Sequence, residues 1–477
     1  MKVIIANPPW PGEGYGTRSN IRWPHRRGDK VLTFPIYLAY AVSILEKEGY
    51  EVIGLDAVDL EEGIPKFVKR VKREQPSLIL LETSTPSILH DIETAKRIKR
   101  EVGCKVVLCG SHVTYYAADI IQDFSFIDFI LKGEFDLSIK DLCKAIEGKK
   151  SFKEVSGLVY RSMSGIAINP ITHVENVDEL PYPDRKQFKI ENYQQAFFGG
   201  KRTGLVISSR GCPYHCTFCL WPETLYGHKH RQRNPKNVIN EIEHLVKNYG
   251  VDEIYFDDDT FIIKKQWIIV FCNELMNRKL NLPWLCMGRV NTVDYEILKL
   301  MKNAGCQEIF YGFESGSQDI LNDSNKAITK DQVLKAVRLT QKAGIRATGS
   351  FVIGLPNENK STIKETIDFA IKLHADYVQF TIAAPFPGTQ LFEQVKNAGL
   401  LEYNSWEDFD GCHGPILRTK SLTKDELVGL QKKMYKQYYF SIPVIIQNLK
   451  SMRSVADVRR LVRGFNSLLS RFVFYKK

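Results

Sequence analysis

The chain has 477 residues, of which 44% are hydrophobic and 25% charged, and its formal net charge is +11. This length exceeds one ordinary hydrophobic core, so we expect two or three globular domains. The opening residues MKVIIANPPWPGEG contain a short apolar run that prolines interrupt. This pattern excludes a signal peptide or a membrane span here and predicts a buried first strand. The positive charge favours an anionic partner, either a phosphate-bearing molecule or a membrane surface.

Residues 1–145 alternate short apolar strands with amphipathic helical patterns. The predicted strands are KVIIA, EVIGLDA, SLILLET, KVVLCG and FIDFILKG, and the predicted helices lie around 36–49, 61–74, 88–102 and 115–123. This alternation predicts an α/β, Rossmann-like domain with a doubly wound parallel sheet. In such sheets ligands bind at the carboxyl ends of the strands.

The residues that follow these strands are small, polar and turn-forming. They occur in the segments NPPW, ETST, GSH and GEF. We therefore predict that a cofactor contacts residues at this edge of the sheet, namely Pro8, Trp10, Ser84, Thr85, Gly110, Ser111, His112, Gly133 and Glu134.

A second strand–helix alternation occupies residues 201–395. It follows a connector at 146–200 that contains a predicted hairpin and a proline-rich link. The predicted strands lie near 204–208, 253–257, 284–288, 308–312, 347–353 and 377–382. Six parallel units are too few for a closed eight-stranded barrel and predict an open partial (β/α)6 barrel. Residues 396–477 are predicted to form a helical C-terminal region.

The most informative motif is a group of cysteines after the first strand of this second unit. Cys212, Cys216 and Cys219 form a C-x3-C-x2-C pattern in SSRGCPYHCTFCLWP. Three thiolates at this spacing can bind three irons of a [4Fe–4S] cluster and leave the fourth iron open for chemistry. A zinc site normally needs four ligands, often as two pairs, and no second pair lies at a suitable distance. Zinc and purely structural thiols remain the alternatives.

Seven further cysteines show no ligand spacing. We predict that they are mostly small core residues: Cys104, Cys109, Cys143, Cys272, Cys286, Cys306 and Cys412. Iron-binding cysteines without a disulfide framework favour a reducing, cytoplasmic location.

The cysteine spacing, placed after a strand, resembles the radical S-adenosylmethionine (SAM) superfamily. In that family the amino and carboxyl groups of the SAM methionine chelate the open iron. The segments NPPW, GSHVT and KGE resemble the cobalamin-binding domain that precedes many radical SAM cores, so the resemblance covers residues 1–395. The Asp-x-His-x-x-Gly signature of a histidine ligand to cobalt is absent, which predicts a cobalt without a protein histidine beneath it. The alternative is a Rossmann-like domain that has lost its ligand or binds another one.

The resemblance also implies which residues bind SAM. Asp257 and Asp258, in YFDDDT, match a strand end that contacts the methionine amino group. Glu314 and Ser315, in GFESGS, match the segment that faces the ribose hydroxyls or the methionine carboxylate. Three further expected contacts are Arg289 with the methionine carboxylate, Gly354 with the adenine and Phe218 near the adenine. The adjacent acids alternatively form a metal site or a solvated turn, and Arg289 is alternatively a surface residue.

The C-terminal tail has a basic amphipathic pattern. From residue 455 onward apolar residues recur every three or four positions, and seven basic residues but only one acid lie between 453 and 477. A helix of this kind binds an anionic membrane surface. The alternative is that it docks on the barrel or on a partner.

These features together predict a cobalamin-dependent radical SAM enzyme whose cofactors are a [4Fe–4S] cluster, SAM and cobalamin. The resemblance implies reductive cleavage of SAM to a 5′-deoxyadenosyl radical, hydrogen abstraction from an unactivated carbon, and methylation of that carbon by methylcobalamin. The enzymatic alternative is oxidative ring or C–C bond formation, as in the anaerobic magnesium-protoporphyrin monomethyl ester cyclase. The non-enzymatic alternative is a sensor that binds cobalamin and the cluster without turnover.

The expected partners are a small-molecule substrate, such as a lipid or a tetrapyrrole, and an electron donor such as flavodoxin or ferredoxin. We expect no nucleic acid. We expect a cytoplasmic protein, with peripheral membrane contact if the tail binds a bilayer. No motif identifies the substrate.

Overall fold

The computed structural model describes residues 1–18, 24–193, 202–411 and 414–451. The predicted amphipathic tail from residue 455 and Cys412 therefore lie outside the described residues. The described chain forms two large sheets with helices packed around them, as the two strand–helix alternations predict. Within the same ranges no helix is both long enough and apolar enough to cross a membrane.

The first sheet has seven strands, β1 (Lys2–Asn7), β2 (Glu51–Asp56), β3 (Leu78–Thr83), β4 (Lys105–Gly110), β5 (Phe129–Leu131), β6 (Leu158–Ser162) and β7 (Gly165–Ile168). Their spatial order is β2-β1-β3-β4-β5-β6-β7. Strands β1 to β5 are parallel, and the predicted hairpin β6–β7 adds two antiparallel strands at one edge. The strand order reverses between β1 and β3, and doubly wound sheets bind ligands at such a switch point.

Helices cover both faces of this sheet: α1 (Ile36–Lys47), α2 (Ile64–Glu74), α3 (Ile88–Glu101), α4 (Ser111–Tyr115), α5 (Ala117–Asp123) and α6 (Phe135–Ile146). Helix α6 is not among the predicted helices, although its buried residues Phe135, Ile139 and Leu142 recur at helical spacing. The turn from β4 into α4 requires glycine. Gly110 has φ +110°, and a Cβ there would lie 2.2 Å from the Thr83 carbonyl oxygen.

The second sheet has six parallel strands, β8 (Thr203–Val206), β9 (Glu253–Phe256), β10 (Trp284–Gly288), β11 (Cys306–Glu314), β12 (Arg346–Ile353) and β13 (Tyr377–Ile382). They pair in sequence order, and β8 and β13 stand at the two edges. This is the predicted open (β/α)6 arrangement.

The helices that follow are α7 (Pro235–Tyr249), α8 (Lys265–Asn277), α9 (Tyr295–Asn303), α10 (Gln318–Asp323), α11 (Lys330–Lys342), α12 (Lys360–Leu373), α13 (Gln390–Asn397), α14 (Lys424–Tyr439) and α15 (Ile442–Ser451). Helix α14 covers the edge strand β13. The Tyr435 hydroxyl donates to the Phe380 carbonyl oxygen at 3.0 Å, and the Tyr439 hydroxyl donates to that of Val378 at 2.7 Å. These contacts shield a strand edge that would otherwise be open to pairing.

The two sheets share a continuous hydrophobic core. Tyr37 of α1 packs edge-on against Trp221, with 5.9 Å between ring centroids, and lies 5.2 Å from Tyr226. Both partners are buried and follow the cysteine motif in the chain. The cysteine-bearing loop therefore packs directly against the N-terminal unit.

Candidate active site

The predicted cluster cysteines lie on the loop after β8. A two-residue antiparallel ladder, Ser209–Arg210 with Arg231–Gln232, fixes the start of this loop. The chain then turns at Gly211, where φ is +84° and a Cβ would lie 2.4 Å from the Lys229 carbonyl oxygen. The turn therefore requires glycine. Beyond it, Cys212 and Cys216 are buried and Cys219 is half-buried.

Backbone and side-chain hydrogen bonds from distant elements hold the cysteine loop in place. The Thr217 amide donates to the Ser324 carbonyl oxygen at 3.0 Å, and the Leu391 amide donates to that of Thr217 at 2.8 Å. Asn325 Nδ2 donates to the His215 carbonyl oxygen at 2.8 Å. The segment after α10 and the start of α13 thus support the loop from outside the sheet.

Arg289 lies beside one of the cysteines. Its Nη1 is 3.5 Å from Cys216 Sγ, and its guanidinium carbon is 3.6 Å from the centroid of the Tyr214 ring. Only 6% of Arg289 is exposed, so it is not a surface residue. Its predicted contact with the SAM carboxylate stays a prediction, and its position next to the cysteine loop supports that role.

The three thiols do not converge on one point. Within the described residues, no three His, Cys, Asp or Glu side chains come together closely enough to hold a single metal ion. In a zinc site all ligands meet at one ion, whereas in a [4Fe–4S] cluster each thiolate binds a different iron. Burial raises the pKa of the Cys212 thiol, and Asp259 adds to this effect. Iron binding requires the thiolate, so the metal's charge must offset this burial.

The two predicted methionine contacts after β9 take different positions. The Asp258 carboxylate accepts hydrogen bonds from the Ser208 hydroxyl at 2.8 Å and the Ser209 hydroxyl at 2.5 Å. Burial raises the pKa of Asp258 to about 6, although these hydroxyls lower it in part. Asp258 therefore ties the start of the cysteine loop to β9. Asp257 accepts a 2.9 Å hydrogen bond from the Tyr255 hydroxyl.

The predicted ribose contacts after β11 also differ from each other. Glu314 has φ +63°, a strained value for a residue with a side chain, and its Oε1 lies 2.6 Å from Lys326 Nζ. Ser315 is fully buried, and its hydroxyl lies 3.2 Å from that of Thr366 and accepts a hydrogen bond from the Ser317 amide. The Ser315 hydroxyl therefore joins β11 to α12.

The turn after β12 contains the predicted adenine contact. Gly354 has φ +90°, and its amide donates to Glu358 Oε2 at 2.6 Å, as does the Leu355 amide at 3.1 Å. Glu358 Oε1 is buried without a hydrogen-bond partner. Burial raises the pKa of Glu358 to about 7, and the two amides lower it in part. Glu358 thus closes the turn whose backbone is predicted to approach the adenine.

Side-chain alternation gives the barrel an outer and an inner face. Phe256, Phe351 and Phe380 on the outer face are fully buried and pack on helices α8, α12 and α14. The inner face instead carries a mixed set of side chains, namely Asp257, Met287, Phe310, Ser350 and Gln379. Three of these, Met287, Ser350 and Gln379, are only half-buried. The inner face can therefore admit a ligand with both polar and apolar parts.

At the edge of the first sheet, several predicted cofactor contacts are buried together. Ser84, Thr85 and Ser111 are almost fully buried, and Ser111 Oγ has no hydrogen-bond partner. His112 Nδ1 lies 3.3 Å from Thr85 Oγ1, and burial lowers the pKa of His112 to about 3. The Trp406 ring packs edge-on against His112 at 5.0 Å. A segment beyond the barrel thus covers these strand ends.

Buried side chains pack together at the end of β1. Pro8 and Trp10 are buried, and the Arg18 guanidinium lies 5.2 Å from the Trp10 ring centroid. Arg18 also pairs with Asp91 at 2.7 Å, and neither side chain is exposed. Trp10 is therefore positioned by a buried ion pair at the switch point of the sheet.

Glu134, the last predicted contact of this edge, belongs to an interdomain ion network. Its Oε1 lies 3.0 Å from Arg210 Nη1, and its Oε2 lies 2.8 Å from Arg231 Nη1 and 3.1 Å from His173 Nδ1. Because both oxygens already accept from protein donors, the structure gives Glu134 a linking position. The neighbouring Gly133 has φ +70°, and a Cβ there would lie 2.9 Å from the Ile171 side chain.

Comparison with known proteins agrees with this two-part geometry. Residues 206–370 match the family model of the radical SAM superfamily, and residues 30–142 match that of the B12 binding domain. The chain is 32% identical over 467 residues to an uncharacterized methyltransferase of Pyrococcus horikoshii, and the match covers 97% of this chain and 98% of that protein. The chain belongs to the cobalamin-dependent radical SAM enzymes.

Other proteins are also similar to this chain. An anaerobic magnesium-protoporphyrin IX monomethyl ester cyclase of Cereibacter sphaeroides is 28% identical over 453 residues, which cover 92% of this chain and 70% of the cyclase. The solved structure of OxsB with aqua-cobalamin and SAM bound superposes with a TM-score of 0.75 at 17% identity, over 99% of this chain and 72% of that one. TsrM from Kitasatospora setae, with cobalamin and a [4Fe–4S] cluster bound, gives 0.65 at 18% identity over 83% and 75%. These two structures share the fold.

The cofactors of this cobalamin-dependent radical SAM enzyme are a [4Fe–4S] cluster, SAM and cobalamin. The residues present suit them. The three little-exposed thiols follow a strand of the barrel at the spacing that a cluster needs. At the edge of the first sheet, the unpartnered Ser111 hydroxyl is available to a bound group. Cys212, Cys216 and Cys219 would hold the cluster, and the β3 and β4 ends would face cobalamin.

Sequence reasoning missed several residues of this radical SAM site. Lys326, Tyr214 and Trp406 all contact predicted site residues. Lys326 and Trp406 lie in no recognisable motif, and Tyr214 lies between two motif cysteines without a spacing signal of its own. Lys326 follows Asn325 and precedes Ala327, and both neighbours have positive φ without being glycine. No local signal marks such a loop, so only the folded chain shows it.

Proposed function

We propose that this enzyme transfers a methyl group to an unactivated carbon of a small molecule. One observation carries the proposal: Arg210, two residues before Cys212, pairs with Glu134, which lies in the turn after β5. The cysteine loop of the barrel therefore abuts the strand ends of the cobalamin-binding unit. When bound, the cluster and SAM supply a hydrogen-abstracting radical and cobalamin supplies the methyl group. The methyltransferase name of the Pyrococcus horikoshii relative supports this outcome.

The chain's own residues orient the reactants in this proposal. Arg289 binds the methionine carboxylate of SAM, since its guanidinium lies beside Cys216 and can form two parallel hydrogen bonds. Asp257 lies at the end of β9, on the inner-face side, and accepts from the methionine amino group. Glu314 lies at the end of β11, where the ribose is expected, and it pairs with Lys326 of the loop between α10 and α11. Phe218 and the turn at Gly354 flank the adenine.

The substrate lies on the inner face of the barrel between SAM and cobalamin. Ser350 and Gln379 offer neutral hydrogen-bonding groups there, while Met287 and Phe310 offer apolar surface. This mixture suits a small amphipathic molecule such as a lipid or a tetrapyrrole. Oxidative ring formation is the second candidate reaction, because the chain aligns with the Cereibacter sphaeroides cyclase over 92% of its length.

The deciding experiment uses SAM itself as the probe. Anaerobically reconstituted enzyme with cobalamin is reduced with a chemical donor, and the products are separated by mass spectrometry. Formation of both 5′-deoxyadenosine and S-adenosylhomocysteine is expected of a methyltransferase, which consumes SAM in two ways. With cell extract added, a deuterated SAM methyl group appears in a product. If 5′-deoxyadenosine forms without S-adenosylhomocysteine, the cyclase reaction is favoured, and if neither forms, the chain is a sensor.

We also propose that an electron donor of the flavodoxin or ferredoxin type reduces the enzyme.

A peripheral membrane contact is a further proposal. Four large apolar side chains around the start of α15 are exposed, Phe440, Ile442, Ile445 and Ile446. They directly precede the tail whose sequence carries seven basic residues and one acid between 453 and 477. Apolar insertion together with attraction to anionic lipid supports binding to a bilayer surface.

A further inference from the structure

Lys326 lies in the loop between α10 and α11, and its side chain is buried beside the cysteine motif. Its Nζ is 2.6 Å from Glu314 Oε1 and 5.8 Å from the centroid of the Phe218 ring. Its carbonyl oxygen accepts a hydrogen bond from Arg289, whose Nη1 is 3.5 Å from Cys216 Sγ. Lys326 thus stands among three predicted SAM contacts and one predicted cluster ligand.

The ammonium of Lys326 is charged in this position. Burial disfavours the charged form, but the adjacent Glu314 carboxylate outweighs it, and the pKa of Lys326 is raised. A buried ion pair is a poor way to gain stability, because apolar side chains of similar volume are often as stable or more so. Folding stability alone therefore does not explain why Lys326 and Glu314 form an ion pair next to the cysteine loop.

We infer that Lys326 is a positioning residue that places a fixed positive charge on the Cys216 side of the cluster and raises its reduction potential. Iron–sulfur potentials depend on the net charge and the hydrogen bonds around the sulfurs. Reduction adds negative charge, so a nearby cation stabilises the reduced form, and the Glu314 carboxylate opposes this effect. The inference rests on the proposed cluster ligands and is independent of whether the reaction is methyl transfer.

The test compares Glu314→Gln with the double variant Lys326→Met/Glu314→Gln. Both lack the carboxylate, so neither leaves an unpaired buried anion, and their difference isolates the ammonium. Each protein is reconstituted anaerobically, and its cluster is titrated with reductant while the reduced form is followed by paramagnetic resonance. Lys330→Met is the matched control, because Lys330 lies four residues further on and its Nζ is 5.6 Å from the Phe369 ring centroid instead.

We expect Glu314→Gln to have a higher potential than the unaltered enzyme. At the same solution potential, the ratio of oxidised to reduced cluster should be at least tenfold higher in the double variant than in Glu314→Gln. This corresponds to a reduction potential that is lower by at least ~59 mV for a one-electron couple. Equal potentials in these two variants would show that the pair is only structural and overturn the inference.

Iron content separates this result from loss of the cluster. About four irons per chain in every variant mean that the potentials compare like with like. If only the double variant loses iron, the reduction potential of Glu314→Gln decides. Without the carboxylate the Lys326 ammonium is unopposed and must raise this potential, so a potential equal to that of the unaltered enzyme overturns the inference. If the unaltered enzyme takes up no iron, the cluster ligands themselves are wrong and the inference falls with them.

Discussion

Arg210 and Glu134 form a buried ion pair across the two halves of the enzyme, with Nη1 3.0 Å from Oε1 and each side chain 2% exposed. Asp136 also pairs with this guanidinium, and its Oδ2 lies 2.5 Å from Nη2. Because Arg210 precedes the cysteine loop and Glu134 follows β5, this pair joins the cysteine loop to the strand ends of the first sheet.

Replacing Arg210 with methionine should destabilise the enzyme severely. Removing one partner of a buried ion pair leaves uncompensated charge and costs about 3–5 kcal/mol. The matched control is Arg278→Met, since Arg278 pairs with Glu243 and Glu274 at the surface, where such pairs contribute about 0.2–1 kcal/mol. Denaturant unfolding of both variants measures the two losses. Equal losses would show that the Arg210 network does not hold the two halves together.

Replacing Cys216 with alanine should remove the cluster and leave the fold intact. Reconstituted enzyme should carry about four irons with a visible charge-transfer absorbance, and the variant should lose this absorbance and all 5′-deoxyadenosine formation. Cys104→Ala is the control, because Cys104 is a buried thiol of the first domain outside the motif. A full complement of iron in a triple alanine variant of Cys212, Cys216 and Cys219 would exclude these residues as ligands.

The strands were predictable because most are buried on both faces and read as continuous apolar runs. LILLET in β3 is buried at every position, and such a run has few alternatives to a central parallel strand. The cysteine motif was equally visible, because its spacing is local. These features depend on neighbours in sequence.

The supporting contacts were not predictable, since they join residues far apart in sequence. Trp406 reaches His112 across 294 positions, and Glu134 meets Arg231 across 97. The strand end predicts a cofactor contact for Glu134, and its protein partners are Arg210 and Arg231 of the barrel and His173 of the connector. A position at a strand end indicates a ligand-binding edge. The role of each side chain there depends on which residues of the rest of the chain contact it.

Replacing Glu358 with glutamine should stabilise the enzyme at neutral and higher pH. Burial raises the pKa of Glu358 from 4.5 to about 7, so the folded state binds a proton that the unfolded state has released. The folded state therefore loses stability relative to the unfolded one as the pH rises from about 4.5 through 7. A shift of this size corresponds to roughly 3 kcal/mol at most. Glutamine still accepts from the Gly354 and Leu355 amides and does not ionise.

Thermal unfolding from pH 5 to pH 8 checks this prediction. The midpoint of the variant should rise relative to that of the unaltered enzyme as the pH increases, and the two should be closest near pH 5. Glu13→Gln serves as the control because Glu13 is exposed. A constant difference across this range would mean that Glu358 does not titrate between the two states.

Removal of the tail or of the exposed apolar patch should weaken membrane binding. Ile442 and Ile445 are 73% and 40% exposed, so Ile442→Asp/Ile445→Asp should not disturb the core. Each basic residue near an anionic surface contributes on the order of 1 kcal/mol, and salt screens this attraction. Flotation with anionic liposomes at low ionic strength should therefore recover the intact chain in the lipid fraction, and less of the aspartate variant or of a chain ending at Ser451. Leu89→Asp, a change at an equally exposed leucine of α3, should float like the intact chain. If every version stays in the soluble fraction, the patch and the tail bind protein instead of lipid, and a membrane-soluble substrate loses its support.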